Sequence, residues 1–174
     1  MSTSSIVICP PAPGESRVFD HDGLGVELTS VAQTLAANVL TVPAVDYLET
    51  DDLRTQRAHW VAALAVAMSA AQLTTPIALV LVGAAGALAP AVGFSQRAAR
   101  RSVSGYLMVD ADVPTIGGAH EDWPDAPVSY LYSPTAHALN VNQARLRGWH
   151  VVSMTDAGPC TVTDAIAAVV PTLL

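Results

Sequence analysis

The sequence predicts a three-layer α/β/α fold built on a six-stranded, mainly parallel sheet. Short apolar runs recur along the 174 residues, and most of them are followed by turn residues and then a helical pattern. These runs are continuously apolar rather than alternating, as is typical of strands buried on both faces. Hydrophobic residues make up 51% of the chain and charged residues only 13%, which favours a single compact domain over residues 1–174.

The pattern of apolar runs and turns predicts the elements in order. The strands are Ser5–Cys9, Asn38–Val42, Ile77–Val82, Ser104–Asp110, Val128–Tyr132 and Trp149–Met154. The helices are about Leu24–Ala37, Asp51–Gln72, Gly86–Arg101, Ala138–Arg147 and Thr161–Leu173. Acidic residues at the start of the second helix favour helix initiation there. Its body is apolar almost all round, which predicts a buried helix.

Charge and composition exclude several classes of partner. The formal net charge of −7 argues against nucleic acid and against an anionic membrane surface. The stretch from Pro76 to Phe94 is uncharged, but its glycines and Pro90 indicate a strand, a turn and a helix rather than a membrane span. Cys9 and Cys160 form neither a disulfide framework nor a metal-ligand spacing. The start has no secretory signal, so we expect a cytoplasmic protein. We also expect neither a metal nor a cofactor.

The most informative stretch runs from Ile77 to Ala89, where a buried strand enters a tight turn of Gly and Ala and a helix follows. It resembles the nucleophile elbow of the α/β-hydrolase superfamily, in which a G-x-S-x-G turn exposes a serine hydroxyl. In the alignment Gly83-Ala84-Ala85-Gly86-Ala87, Ala85 stands in the place of that serine. An alanine methyl group cannot attack a carbonyl.

The resemblance extends along most of the chain. Ser4–Glu15 is similar to the family's third strand and oxyanion loop, and Gly105–Pro114 to the strand after the elbow. Pro127–Tyr132 and Gly148–Val152 are similar to the last two core strands. The family's first two strands have no counterpart. The resemblance therefore implies a truncated member whose strand order is 2-1-3-4-5-6.

All three positions of the family's catalytic triad lack the required residue. Beyond Ala85, no carboxylate lies in Ser133–Asn140 and no histidine lies in Thr155–Cys160. The resemblance therefore implies a protein that is not a Ser-His-Asp hydrolase. It also implies two backbone oxyanion donors, the amides of Gly86 and Ala12, since the neighbouring prolines have no N–H.

A few further residues could carry chemistry. Asp110 and Asp112 follow the fourth strand, and His137 follows the fifth, so each is a candidate base or orienting group. Capping and solvated roles are the alternatives for the two aspartates, and an exposed loop position is the alternative for the histidine. The predicted pocket-lining residues are Ala85, Trp123, Asp156 and Cys160.

Three functions are compatible with these features. The first is non-hydrolytic acyl transfer, cyclisation or lyase chemistry on an apolar acyl, thioester or polyketide-like substrate, either a small molecule or carrier-bound. The absence of lysine suggests a GC-rich bacterial source, in which such proteins serve specialised metabolism. The second is a pseudoenzyme that binds a small molecule or a partner protein. The third is dinucleotide binding, although Gly83-x-x-Gly86 lacks the G-x-G-x-x-G spacing. Under the first two, the exposed edge of the second strand invites pairing or a covering partner, and a homodimer is compatible with it.

Overall fold

The computed structural model describes residues 4–15, 21–46, 50, 52–115, 122–154 and 162–174. Within these residues, six strands form one sheet in the order β2-β1-β3-β4-β5-β6, and all five neighbouring pairs are parallel. The predicted fold class and strand order are confirmed. The strands are β1 (Ser5–Ile8), β2 (Asn38–Thr41), β3 (Ile77–Val82), β4 (Val103–Val109), β5 (Val128–Tyr132) and β6 (His150–Ser153).

Helices cover both faces of the sheet, which makes the three layers. Residues of α1 and α5 pack with one face, and residues of α2, α3 and α4 pack with the other. A 3-10 turn over Gly83–Leu88 precedes α3, so the helix predicted from Gly86 begins three residues later. The helices are α1 (His21–Thr34), α2 (Leu53–Ala70), α3 (Ala89–Ala98), α4 (Ala138–Leu146) and α5 (Val162–Val169).

The burial predicted for the second helix is wrong. Along α2 only Trp60, Leu64 and Met68 are buried, and they form one stripe at a spacing of four residues. Val66, on another side of the helix, is 70% exposed. Alanine is common on exposed helix faces as well as in cores. The many alanines of α2 therefore made more of the helix look buried than is the case.

The predicted acidic start of α2 is present as an N-cap. The Asp52 carboxylate accepts hydrogen bonds from the amides of Arg54 and Thr55 at 3.1 and 3.2 Å, and from the Thr55 hydroxyl. The Thr55 hydroxyl bond, followed by the Arg54 amide bond, lowers the pKa of Asp52 from its usual 3.8. A carboxyl whose pKa is lowered on folding stabilises the fold above its unfolded-state pKa and loses that contribution as the pH falls.

We therefore expect Asp52→Ala to lower the melting temperature at about pH 7, and the difference from the wild type to shrink towards about pH 3. Thermal unfolding followed by circular dichroism at both pH values measures this. Asp46→Ala, an exposed carboxylate before the same helix, serves as the control and should change neither temperature. An equal loss at both pH values would show that the charge of the cap plays no part.

The apolar stretch from Pro76 to Phe94 folds as β3, a 3-10 turn and the first part of α3, as the sequence predicts. Among the helices of the described residues, none combines the length and apolarity needed to cross a bilayer. Because all six strands are parallel, their carboxyl ends meet along one edge of the sheet. The loops at that edge carry the candidate site.

Candidate functional site at the carboxyl edge of the sheet

The loop after β1 contains a tight turn at Ala12-Pro13-Gly14-Glu15. The amide of Glu15 donates to the carbonyl of Ala12 at 3.2 Å, and Gly14 has a φ of +90°. Proline at the second position and a positive-φ glycine at the third are the signature of a type II turn. The loop is attached to α2, because the indole N–H of Trp60 donates to the carbonyl of Pro11 at 2.9 Å. This turn sets the position of Glu15.

The turn after β3 centres on Gly83 rather than on Ala85. Gly83 follows the last residue of β3 and has a φ of +55°, a left-handed conformation that favours glycine. In a nucleophile elbow, the strained residue between strand and helix is the nucleophile itself. The predicted alignment is therefore wrong by two residues, and Gly83 occupies the nucleophile's place. Ala85 is 1% exposed and packs within the core, so it is not the pocket-lining residue that was predicted.

With this alignment, the backbone amide that follows the elbow residue also lies two residues earlier than predicted. The amide that follows Gly83 belongs to Ala84, and it donates to Oε2 of Glu15 at 2.5 Å. Gly86, the predicted donor, lies deeper in the 3-10 turn, where its missing side chain serves packing. A Cβ there would overlap the main-chain oxygen of Asp112 and the Cβ of Ala111. The donor at the elbow is thus Ala84, and it already holds a carboxylate.

The carboxyl group of Glu15 fills the space that a side chain at Gly83 would take. A Cβ built on Gly83 would overlap both Oε2 and the carboxyl carbon of Glu15. Sequence reasoning placed Glu15 in the oxyanion loop but assigned it no role. The signal that could have found it is the Pro13-Gly14 pair, which directs the next residue back across the sheet edge.

Ala12 retains the features of the second predicted donor. It is 1% exposed, and its carbonyl accepts the Glu15 amide, but within the described ranges its own N–H has no acceptor. Buried amides without an acceptor are rare. The donor role of Ala12 stays a prediction, and its unpaired N–H is compatible with it.

The two predicted aspartates bind different neighbours. Asp112 is beside the elbow, since its amide donates to the carbonyl of Gly83 at 2.8 Å, while its Oδ1 accepts from Nδ2 of Asn140 at 3.0 Å. Asp110 has a φ of +45°. Its carboxylate accepts from the amide of Ser133 at 2.8 Å and from the Ser133 hydroxyl at 2.6 Å. Asp110 therefore joins the ends of β4 and β5, and Asp112 joins the elbow to α4.

His137 is the residue at the N-cap of α4. Its side chain is exposed and makes no capping bond, whereas its carbonyl accepts the amides of Asn140 and Val141 at 2.9 and 3.3 Å. It lies one turn from the Asp112–Asn140 contact. The catalytic roles suggested for Asp110, Asp112 and His137 stay predictions.

Trp123 does not belong to this edge of the sheet. It precedes β5 and so lies where β5 and β6 begin, opposite the elbow. Its ring contacts those of Tyr106 and Trp149 at centroid distances of 5.3 and 5.6 Å. With Arg147 it lines a surface cleft of about 590 Å³. The prediction that Trp123 lines the site is wrong, because the long loop after β4 carries the chain back across the sheet. Asp156 and Cys160 lie outside the described residues.

Two further polar groups lie near the turn before Glu15, the thiol of Cys9 and the guanidinium group of Arg57. Burial raises the pKa of the Cys9 thiol to about 12, so it stays protonated at neutral pH. Arg57 places a terminal guanidinium nitrogen 3.5 Å from the position of a Cβ on Gly14, so a cation stands beside the turn. Within the part of the chain that the structure describes, no three His, Cys, Asp or Glu side chains cluster as a metal site would require.

Solved structures with the same fold place these features in context. A protein from Xanthomonas campestris pv. campestris, assigned to the α/β-hydrolase superfamily, matches with a TM-score of 0.64 and 16% identity, over 98% of this chain and 99% of that one. The NocB thioesterase domain from the nocardicin cluster matches with a TM-score of 0.57 and 14% identity, over 98% and 95% of the two chains. RedJ, a thioesterase from the prodiginine biosynthetic pathway in Streptomyces coelicolor, matches with a TM-score of 0.56 and 16% identity, over 98% and 85%.

A scan of protein-family models and a search among curated proteins both find no match to the sequence. The structural matches run along nearly the whole chain, and they agree with the six-stranded parallel sheet and its flanking helices. The chain therefore has the fold of the α/β-hydrolase superfamily.

Proposed function

We propose that the protein processes an activated carbonyl group, such as an acyl thioester, without forming a covalent intermediate on a serine. The observation that carries this proposal is the hydrogen bond from the Ala84 amide to a carboxylate oxygen of Glu15, at 2.5 Å. This bond supports the proposal because the turn at Gly83, which offers no nucleophile, still binds a negatively charged oxygen. A free backbone donor beside this elbow, such as the amide of Ala12, can lower a barrier by about 2.7–4 kcal/mol when it faces a developing oxyanion.

The reaction would then rely on an external nucleophile. Acyl transfer, cyclisation and lyase chemistry all need a polarised carbonyl and a positioned acceptor, and none of them needs an enzyme-bound acyl group. The substrate class we propose is an apolar acyl, thioester or polyketide-like group, as a small molecule or on a carrier. Two of the structural neighbours are thioesterases of natural-product pathways, which favours a role in bacterial specialised metabolism.

Within this proposal, the carbonyl oxygen is bound near the elbow, with the amide of Ala12 as a donor. Asp112, bonded to Gly83 through its amide, is the better placed of the two aspartates for orienting an acceptor. Asp110 would act through Ser133, and His137 through the start of α4.

Two measurements test the proposal together. The hexanoyl thioester of N-acetylcysteamine, with hydroxylamine as acceptor, should be converted to the hydroxamate faster than in the uncatalysed reaction. A fluorophosphonate that labels activated serines should leave the intact mass of the protein unchanged, because the elbow carries Gly83.

A fluorophosphonate adduct would contradict the absence of a serine mechanism. Binding of the thioester without any increase in hydroxamate formation would contradict turnover and favour the pseudoenzyme. Binding of the thioester can be followed by the chemical shifts of backbone amides, first of all that of Ala84.

A further inference from the structure

We propose that Glu15 is the catalytic carboxylate of this protein and serves as the general base towards the acceptor, in the space that the elbow nucleophile would occupy. This inference rests on the proposed acyl-transfer function. It adds to that function the group that moves the proton.

The first argument is the position of the carboxyl group. A Cβ on Gly83 would overlap Oε2 and the carboxyl carbon of Glu15. In a nucleophile elbow, the side chain at this position presents its oxygen to the substrate. The chain has therefore lost the side chain of the elbow residue, while an oxygen from another loop lies in the same place.

The second argument is that this carboxyl group is held rather than loosely placed. Its Oε2 accepts the Ala84 amide at 2.5 Å, and the main chain of Glu15 is set by the type II turn that closes on Ala12. The loop is itself anchored by the bond from Trp60 to Pro11. A base that is fixed in this way loses little entropy when it meets its substrate.

The third argument concerns reach. Glu15 is half-buried, so its carboxyl group borders both the core and the surface. A carboxylate has two oxygens and about four acceptor positions, so it can accept the Ala84 amide and still take a proton. The thiol of Cys9, which precedes the same turn, is fully buried and does not border the surface.

The step balances without any co-reactant beyond the acceptor. The acceptor X–H, an alcohol, amine or thiol, gives its proton to the Glu15 carboxylate while X forms a bond to the thioester carbonyl carbon. The π electron pair of the carbonyl moves onto its oxygen. When that pair returns, the carbon–sulfur bond breaks, and the proton passes from the Glu15 carboxyl group to the leaving thiolate. Glu15 is regenerated, and in a cyclisation X–H belongs to the substrate itself.

The test uses Glu15→Gln and Glu15→Ala in the hexanoyl-thioester and hydroxylamine assay. We expect kcat to fall by about 10²- to 10⁴-fold in both variants, the usual contribution of a general base, with little change in KM. Formate should restore activity to Glu15→Ala, whose cavity can admit it, and not to Glu15→Gln. Asp46→Asn, an exposed carboxylate in the loop after β2 at the same edge of the sheet, is the matched control and should behave as the wild type.

The contrary outcomes separate the two proposals. Near wild-type activity in Glu15→Gln would overturn the base while leaving acyl transfer intact. Faster turnover in Glu15→Ala would also overturn it, because the carboxylate would then be an internal anion that blocks the site. No turnover by the wild type with this probe would overturn the proposed function, and the base together with it.

One measurement does not depend on activity. The amide proton of Ala84 should move upfield in Glu15→Gln relative to the wild type, because the charged acceptor is replaced by a neutral one. Unchanged thermal unfolding of Glu15→Gln would show that the variant is folded. An Ala84 resonance that is the same in the two proteins would contradict the contact on which the inference depends.

Discussion

Replacing Trp60 by alanine is expected to lower the free energy of unfolding by about 3–5 kcal/mol, the range found for large aromatic side chains removed from cores. Trp60 has no exposed surface and is the largest side chain of the buried stripe of α2. Its loss would leave a cavity between α2 and the sheet, and the carbonyl of Pro11 would lose its donor. Urea unfolding measures the effect. The dependence of the unfolding free energy on urea concentration should be the same in the variant and the wild type, which excludes a change of the unfolded state.

Two further variants separate packing from the role of the loop. Trp60→Phe keeps most of the apolar volume but removes the indole N–H, and we expect it to cost about 1–3 kcal/mol through the unpaired carbonyl. It should also lower the rate of thioester transfer, since the loop that carries Glu15 loses its anchor. Leu64→Ala, from the same stripe and 1% exposed, should cost about 2–5 kcal/mol with kcat preserved. If Trp60→Phe matches the wild type in both properties, Trp60 does not anchor the loop.

Gly86→Ala is expected to destabilise the protein by about 1–3 kcal/mol, the cost of inserting a methyl group into a packed site. The added Cβ would overlap the main-chain oxygen of Asp112 and the Cβ of Ala111. Asp112 cannot withdraw easily, because its amide is bonded to the carbonyl of Gly83 at 2.8 Å and its side chain to Asn140. Thermal and urea unfolding should both report the loss.

Gly25→Ala is the matched control for the same chemical change. A Cβ on Gly25, within α1, would lie 3.2 Å from Oγ1 of Thr41 and 3.6 Å from Cδ1 of Ile8. A small shift of a side chain accommodates this contact, and alanine gains about 1 kcal/mol over glycine in helix propensity. This variant should be neutral or slightly more stable. Equal stability of Gly86→Ala and the wild type would refute the close packing of the elbow against the loop after β4.

Most of the fold could be predicted, because it depends on local patterns. Continuous apolar runs such as Ile77–Val82 can hardly be exposed on either face, and this requirement alone implies helices on both sides of a parallel sheet. The predicted strand ends agree with the structure to within one residue. The burial of α2 was overestimated, since an alanine-rich helix reads as apolar all round whether or not it is covered.

The site was predicted less well than the fold. The sequence predicted which loops lie at the carboxyl edge, and Ala12, Asp110 and Asp112 are found there. It could not locate the residue with positive φ within Gly83-Ala84-Ala85-Gly86, because glycine and alanine together allow more than one alignment. Trp123 was misplaced because the whole loop after β4 was assigned to the carboxyl edge, although its last residues lead into the start of β5 at the opposite edge.

By itself the sequence determined the layers, the Pro-Gly turn before Glu15 and the absence of a serine at the elbow, since each depends on residues adjacent in the chain. The strand order followed from the resemblance to the α/β-hydrolase superfamily. Only the tertiary structure decided that the carboxylate of Glu15 meets the amide of Ala84, two residues 69 positions apart. That contact exists because β1 pairs in parallel with β3, Ile8 opposite Val80. The register brings the two loops together, and glycine at position 83 leaves room for the carboxylate.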